Sequence, residues 1–568
     1  MKNREIAKIF YEIADMLEMQ DVQFKPRAYR KAAQNIESLS EDIEEIYKRG
    51  ELEKIPGVGK SIAEKVKEFI EKGSVAYYEK LKKEIPVNLE ELSSVEGLGP
   101  KMIKLLYKEL GIKNLNDLEK AAKEGKIRHL KGMGERTEQK ILENIEFARK
   151  KGGRILLGFA LPEAMKLIKF LEKYAEKISL AGSLRRKKET IGDMDILAVS
   201  LNPEKLMDEF TSMNEVDKIL AKGETKSSVR LKSGIQVDLR IVDKESFGSA
   251  LQYFTGSKEH NIEVRKIAVR NGYKLNEYGL FDKKSNKKIA GENEEGVYKA
   301  LGMQYIPPEL RENRGEVEAA LNGALPALVE RKDVRGDLQM HTKWSDGANT
   351  IEEMVKEGIK LGHSFIAITD HVGTLKIAGG MGEEEIRKQM KEIESLNEKY
   401  DDFHIFHGVE VNILKDGNLD MSRKVLKDVD VVIASIHSAF RQPMEEMTKR
   451  LLKALENDVV DILAHPTARI IYKREAIKFD VEKVFDAARE NDIILEINAQ
   501  PDRLDLNDIL AKKAIEMGVK LSIGTDAHNK ETLRYIELGV AVARRAWAEK
   551  KDIVNTYSID KLEKIFSK

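Results

Sequence analysis

The 568-residue chain contains no cysteine. Disulfides and thiolate metal sites are therefore excluded, and any transition metal must rest on His, Asp and Glu. No apolar run is long enough to span a bilayer, and the first residues, Met1-Lys2-Asn3-Arg4-Glu5, lack a signal-peptide apolar core. A cytoplasmic location is the expectation. Net charge is missing too, since 98 Lys plus Arg balance 98 Asp plus Glu. That balance does not exclude a polyanionic partner, because the charge is unevenly spread. Residues 101–300 hold 41 Lys plus Arg against 30 Asp plus Glu, whereas residues 331–568 carry a net charge of −5. With 41% hydrophobic and 35% charged residues, the composition is that of a soluble globular protein too long for one core.

What is present is most informative between Gly182-Ser183, the run Arg185-Arg186-Lys187-Lys188, and Asp193-Met194-Asp195. On an extended strand residues two apart share a face, so Asp193 and Asp195 can hold the same metal ions. The Gly-Ser turn offers backbone N–H groups and a hydroxyl beside cationic side chains. This makes a cradle for a triphosphate, with oxygen-bound Mg²⁺ or Mn²⁺ on the carboxylates. A bare D-x-D is common on solvated edge strands; Gly-Ser and Arg-Arg at this spacing favour nucleotidyl transfer. A third carboxylate, Asp238, is expected from the hairpin-like runs 229–231 and 235–242. Three carboxylates can hold two divalent ions, one activating a primer 3′-hydroxyl and one neutralising pyrophosphate as it leaves. Downstream, Tyr253-Phe254 reads either as ordinary core packing or as part of a binding site, and the Thr255-Gly256-Ser257 that follows, a turn that would bring backbone close to a ligand, favours the second.

Three short patterns precede this region: Ile55-Pro56-Gly57-Val58-Gly59-Lys60, Val95-Glu96-Gly97-Leu98-Gly99-Pro100 and Leu130-Lys131-Gly132-Met133-Gly134-Glu135. A lone G-x-G is usually only a turn. Three copies, each before a helically periodic stretch, predict helix-hairpin-helix units whose backbone N–H groups bind DNA phosphates without reading sequence. Gly57, Gly59, Lys60, Gly97, Gly99, Gly132 and Gly134 are the DNA-binding candidates.

Beyond a connecting stretch at 315–331, read as a helix interrupted at Pro326, the histidines fall into order. His341, Asp346, His371, Glu410, His437, His465, Asp526 and His528 mostly follow short β-branched runs that lead into helical stretches. That is the pattern of a β/α barrel with functional groups at the carboxyl ends of its strands. Five His and three carboxylates so placed predict a polynuclear site for Mn²⁺, Zn²⁺ or Fe²⁺, with Glu410 able to bridge two ions. His363, His404 and His407 fall outside the pattern. Arg441 and Arg469 read either as phosphate clamps or as solvated loop residues.

Taken together, the carboxylate triad, the hairpins and the segment Tyr253 to Arg265 resemble a family X DNA polymerase, the group that includes polymerase beta, over residues 1 to about 315. Residues 334–568 resemble the PHP domain of metal-dependent phosphoesterases. The resemblance implies a multidomain α+β and α/β protein. Its parts would be a lyase-like helical domain at 1–85, a second hairpin region at 86–150, a nucleotidyltransferase palm at 151–242, a nucleotide-selection region at 243–315, a linker at 316–333 and a PHP barrel at 334–568. By the same resemblance Gly182, Ser183 and Arg186 would touch the triphosphate, Tyr253, Phe254 and Gly256 would line the sugar pocket, Asn261 would reach the base edge, and Arg265 would approach the template. Lys65 matches the family's Schiff-base lysine, but Ser61 stands where the family has a phosphate-binding lysine, so weak or absent lyase activity is expected.

In the barrel, His341, Glu410 and Asp526 would serve one ion, Glu410, His437 and His465 a second, and Asp346, His371 and His528 a third. Gln339 departs from the family's opening D-x-H-x-H and is expected to loosen the first ion. The implied partners are gapped or nicked DNA bearing a 5′-phosphate, and dNTPs, with the protein a monomer and away from membranes. The implied work is gap filling in base-excision repair with a 3′–5′ exonuclease or 3′-end phosphoesterase. The alternative is a small-molecule PHP phosphatase fused to a non-catalytic DNA-binding scaffold, against which the complete triad argues.

Overall fold

The structure, a computed structural model, describes residues 2–567 apart from 38–42, 56, 94, 96–97, 131–132, 136, 140, 143–144, 146–153, 375–378 and 473. Contacts divide the chain into two compact units. One is Met1–Arg154 with Lys232–Ile235 and Asn261–Lys274; the other is Ile155–Leu231, Gln236–His260 and Leu275–Lys568.

The amino-terminal part of the first unit is helical, with helices that include Lys2–Met19, Lys25–Glu37, Lys60–Lys72, Pro100–Leu110 and Leu115–Lys123. Helix Lys60–Lys72 shows why. Ile62, Ala63, Val66 and Phe69 recur on one face and are buried, and Gly73, at φ +71, stops the helix with its N–H on Phe69 O. Residues from Ile6 to Ile145 share one buried cluster, so the regions 1–85 and 86–150 have a common core.

Apart from short two- and three-stranded sheets, the second unit contains two larger sheets. The smaller is formed by β1 (Lys177–Leu180), β2 (Asp193–Val199), β3 (Val216–Ala221), β4 (Lys226–Leu231) and β5 (Gln236–Ile241), in the order β1-β2-β5-β4-β3. Only the central pair β2 and β5 is parallel. The larger sheet is parallel throughout: β6 (Gly336–Asp337), β7 (Phe365–Ile368), β8 (His371–Val372), β9 (His404–Asn412), β10 (Val431–Ser435), β11 (Ile462–Leu463), β12 (Ile494–Asn498) and β13 (Leu521–Gly524). β8 pairs with β9, and the rest follow chain order.

The first and last of these strands meet beyond their ends, where His341 N donates to Ala527 O at 2.8 Å and Asp526 N to Gln339 O at 2.9 Å. The sheet is thereby a nearly closed barrel. Its strand period is visible in β7: Phe365 and Ala367 enter one buried cluster with Leu562 and Phe566, while Ile366 and Ile368 enter another with Ile351 and Met354.

The connecting stretch differs from its expectation. Helix Glu316–Leu321 ends well before Pro326, because Gly323, at φ +67, turns the chain and Ala324 N reaches Ala319 O at 2.8 Å. The chain then runs along the barrel, with Val329 N donating to Ala548 O at 2.9 Å. Among the described residues, no helix is long and apolar enough to cross a membrane.

Candidate functional site

The parallel pairing of β2 and β5 sets Asp195 opposite Asp238, with Asp193 two residues earlier on the same face. Burial, then the charges of Asp193 and Asp238, push Asp195 up to about 6. Asp238 is also buried, yet hydrogen bonds from Lys226, Gln236 and Ser228 hold it below the usual carboxylate range. Lys226 Nζ lies 2.7 Å from Asp238 Oδ2, and Gln236 Nε2 donates to Oδ1 at 2.9 Å. Mutually repelling carboxylates at one strand end are what a divalent cation relieves. Gly182 packs directly on this site. Its φ is +60, and a Cβ there would stand 2.5 Å from Asp195 Oδ2.

The turn at Gly182–Arg185 is a short helix, and its two arginines diverge. Arg185 donates to both Glu294 oxygens, at 2.8 and 2.5 Å, and to Thr255 Oγ1 at 2.7 Å, so it is committed to structure. Arg186 donates from Nε to Glu312 Oε1 at 3.0 Å and from Nη1 to Thr255 O. Its Nη1 also lies 3.1 Å from where a Cβ of Gly256 would be. The structure thus brings Arg186 and Gly256 together. The rings of Tyr253 and Phe254 meet edge to face at 5.1 Å, and the Arg240 guanidinium lies 4.6 Å from the Phe254 ring centre. Asn261 and Arg265 belong to the first unit, where Arg265 Nε donates to Asn261 O at 3.2 Å.

The hairpins repeat one geometry. Val58 N reaches Ile55 O at 2.9 Å, Leu98 N reaches Val95 O at 3.0 Å, and Met133 N reaches Leu130 O at 2.9 Å. Three residues beyond the second glycine of each, Ile62, Met102 and Thr137 donate to Gly59, Gly99 and Gly134, each at 2.9 Å. Val58, Leu98 and Met133 are buried, whereas Gly59, Gly99, Gly134 and Lys60 are exposed. No side chain caps helices Lys60–Lys72 and Pro100–Leu110, which leaves their first N–H groups to an outside acceptor. Gly57 turns at φ +81. Gly97 and Gly132 lie outside the described residues. Lys65 is half-buried, 5.1 Å from the Tyr77 ring centre and 3.2 Å from Ser61 Oγ, and burial lowers its amine below the ordinary value.

In the barrel, the eight predicted ligands converge at the carboxyl ends of the strands. His341 Nε2 lies 3.2 Å from Glu410 Oε2 and 3.1 Å from Asp526 Oδ1. His437 and His465 each place Nε2 3.3 Å from Glu410 Oε1, and His528 Nε2 is 3.3 Å from Asp346 Oδ1. The tightest groups are His341, Glu410 and Asp526; His371, Glu410 and His437; and His341, Asp346, His371 and His528. The first is the expected trio. The other two differ in detail, because His371 sits between them, with Nδ1 3.4 Å from Glu410 and Nε2 3.8 Å from Asp346. Ring nitrogens of His341, His371 and His465, and Glu410 Oε1, are buried without a hydrogen-bond partner. Such an array fits metal ions of borderline hardness. Burial holds His371 down at about 4, hence neutral and able to ligate. His465 and Asp526 sit at φ +29 and +50, backbone strain of the kind found at functional sites.

Other buried polar groups around the barrel site are structural or support it. Asp370, next to His371, accepts from Thr342 N and Oγ1, Ser345 Oγ and Gln389 Nε2 at 2.5–2.7 Å, and so anchors the loop carrying Asp346. His407 bonds Gln389, His404 packs on Phe406, and His363 is buried away from the ligand groups. Arg469 is no phosphate clamp: it donates to Arg503 O, Leu504 O and the Glu189 carboxylate at 2.9, 2.6 and 2.7 Å. Arg441 is exposed. The residues missed from sequence end β12. Glu496 accepts from His465 N at 2.7 Å, Asn498 Nδ2 donates to Asp526 Oδ2 at 3.1 Å, and Arg503 Nε lies 3.6 Å from Asp526. The Gln339 side-chain amide lies against the Glu496 carboxyl rather than reaching the ligand groups. The Glu-x-Asn ending of an apolar run carried the signal.

Residues 1–75 match a helix-hairpin-helix domain, 89–146 a SAM-like helix-hairpin-helix tandem, 250–312 the DNA polymerase beta thumb and 337–500 the PHP domain. Such a combination defines a family X DNA polymerase carrying a PHP domain. The chain is 39% identical over 568 residues to DNA polymerase/3′-5′ exonuclease PolX of Bacillus subtilis (strain 168), covering 99% of each, and it belongs to that family. A probable phosphatase of Thermoanaerobacter sp. (strain X514) is 34% identical over 231 residues, covering 39% of this chain and 89% of that protein.

Proposed function

We propose that the protein fills short gaps in DNA by two-metal nucleotidyl transfer and trims 3′ ends with a 3′–5′ exonuclease in its barrel. The observation that carries this reading is the presence of two separate ligand clusters on one chain, the carboxylates of β2 and β5 and the imidazole-carboxylate array of the barrel. The full-length likeness to a polymerase/exonuclease supports it over a phosphatase on a DNA-binding scaffold, since the phosphatase relative corresponds to 39% of the chain.

On this reading, segments 1–85 and 86–150 hold DNA, 151–242 is the palm, 243–315 selects the nucleotide and 334–568 is the phosphoesterase. Asp193, Asp195 and Asp238 would hold Mg²⁺ or Mn²⁺, which when bound lower the pKa of a primer hydroxyl and neutralise pyrophosphate. The turn at Gly182, Ser183 and Arg186 receives the triphosphate of a dNTP. Tyr253, Phe254 and Gly256 receive its sugar, Asn261 meets the base and Arg265 the template. The uncapped hairpin helices hold the phosphates flanking the gap, a 5′-phosphate among them. In the barrel His341, Asp346, His371, Glu410, His437, His465, Asp526 and His528 would hold up to three Mn²⁺, Zn²⁺ or Fe²⁺ ions. Arg503 offers a cation to the scissile phosphate. The test is a one-nucleotide gapped duplex with dNTPs and Mn²⁺: extension by the wild type and none by Asp193→Ala supports the reading, and persistent extension by Asp193→Ala defeats it.

A further inference from the structure

We propose that Arg545, on the barrel helix Ile536–Arg545, is a positioning residue for nucleotide addition, holding in place the palm turn that carries Arg186. The proposal rests on the reading that Arg186 meets the triphosphate. Arg545 is 4% exposed and spends its guanidinium on three partners. Nη1 donates to the backbone O of Arg186 at 2.7 Å and to Glu312 Oε1 at 3.1 Å, and Nη2 donates to Asp508 Oδ2 at 2.7 Å. Glu312 Oε1 also accepts from Arg186 Nε at 3.0 Å. Arg545 therefore holds Arg186 twice, once by its backbone and once through the carboxylate that aims its side chain. From Arg186 the chain of contacts continues to Thr255 O, next to Gly256.

Two features separate this arrangement from ordinary interface packing. A planar fork is needed to bind a carbonyl and two carboxylates in fixed directions, which an ammonium cannot do. The cluster is also unbalanced. Arg186, Arg314 and Arg545 share Glu312 and Asp508, Arg314 reaching Asp508 at 2.9 Å, and Lys188 stands within electrostatic reach of both carboxylates. Surplus positive charge held rigidly beside the turn stabilises a polyanionic triphosphate, and a stand-alone structural network has no use for it. Arg544, next in the chain, bonds Glu309 at 2.8 Å and the Val329 carbonyl at 3.0 Å instead, and so supplies a control of similar chemistry.

The experiment uses full-length protein on a one-nucleotide gap and measures kcat and KM for the dNTP, with 3′–5′ degradation of single-stranded DNA in Mn²⁺ measured on the same preparations. Arg545→Met should raise the dNTP KM about tenfold with little change in kcat. Glu312→Gln should move KM in the same direction and decides the matter should Arg545→Met not fold. Arg186→Ala should raise KM at least as far. Arg544→Met should leave KM within about twofold of wild type, and exonuclease activity should be unchanged in all four. A raised KM in Arg186→Ala with normal values in Arg545→Met and Glu312→Gln would overturn the positioning role and leave the Arg186 reading intact. A normal KM in Arg186→Ala would remove that reading and the proposal with it. Parallel loss of both activities in Arg545→Met, with Glu312→Gln normal, would make Arg545 a general strut and also overturn it.

Discussion

Arg185 places both Nη atoms on Glu294, and Arg311 adds a third bond at 2.6 Å, so a buried carboxylate sits between two guanidinium groups. Burial alone would raise Glu294, but Arg311 and Arg185 hold it at about 2. A depressed carboxylate contributes stability that is present above its unfolded value near 4.5 and is lost as pH falls toward about 2, on the order of 3 kcal/mol in all. Glu294→Gln should therefore unfold at lower urea than wild type at pH 7, and the gap between the two should narrow as pH falls through that window. A gap independent of pH would contradict the assignment. From sequence, Arg185 and Arg186 are members of one cationic run, and nothing local says that one is paired with a carboxylate 109 positions away. Asp193 and Asp195 were legible because a strand's two-residue period is local, and Asp238 because hairpin-like alternation surrounds it; Glu496 and Arg503 were not, because nothing near them in sequence marks their partners on other strands. Lys65 supplies a second residue-scale test. With Ser61 beside it, borohydride trapping on an incised abasic site should give a weak adduct or none, and any weak adduct should be lost in Lys65→Ala, whereas a strong adduct that survives would name another nucleophile.

At the scale of elements, the hairpins carried over from sequence with the least loss. Their geometry depends on two glycines, one buried residue between them and the helix that follows, all within a few positions. The exposed, uncapped helix starts predict sequence-independent phosphate binding. Extension should be faster on a short gap with a 5′-phosphate than on the same gap without one, and log affinity should fall linearly with log salt. Equal rates on both gaps would remove the first hairpin's role. The end of helix Glu316–Leu321 was less legible, since Pro326 is the louder breaker in sequence while Gly323 makes the turn in the structure. The barrel strands were legible as apolar runs, but which ligands share an ion was not. His371 stands between two groups because the pairing of β8 with β9 sets it opposite Glu410, with Nδ1 3.4 Å from that carboxylate.

At the scale of the molecule, the sheet β1–β5 and the barrel lie in one compact unit, and ion pairs from Glu189 to Arg469 and from Glu309 to Arg544 tie the barrel to the chain before it. Helix Leu157–Leu171 is pressed against the barrel at Gly158, where a Cβ would stand 2.7 Å from Pro501. None of this was visible in the sequence, in which Arg469 and Glu189 are 280 positions apart. The ligand clusters have no residue in common, so the two activities should be separable. The most direct measurement follows dNTP incorporation and 3′–5′ degradation on the same gapped duplex in Mn²⁺ for wild type, Asp195→Ala and His465→Ala. The account predicts that Asp195→Ala loses incorporation by at least about a hundredfold and keeps degradation, and that His465→Ala does the reverse. Degradation that persists in His465→Ala, or incorporation that persists in Asp195→Ala, would contradict it.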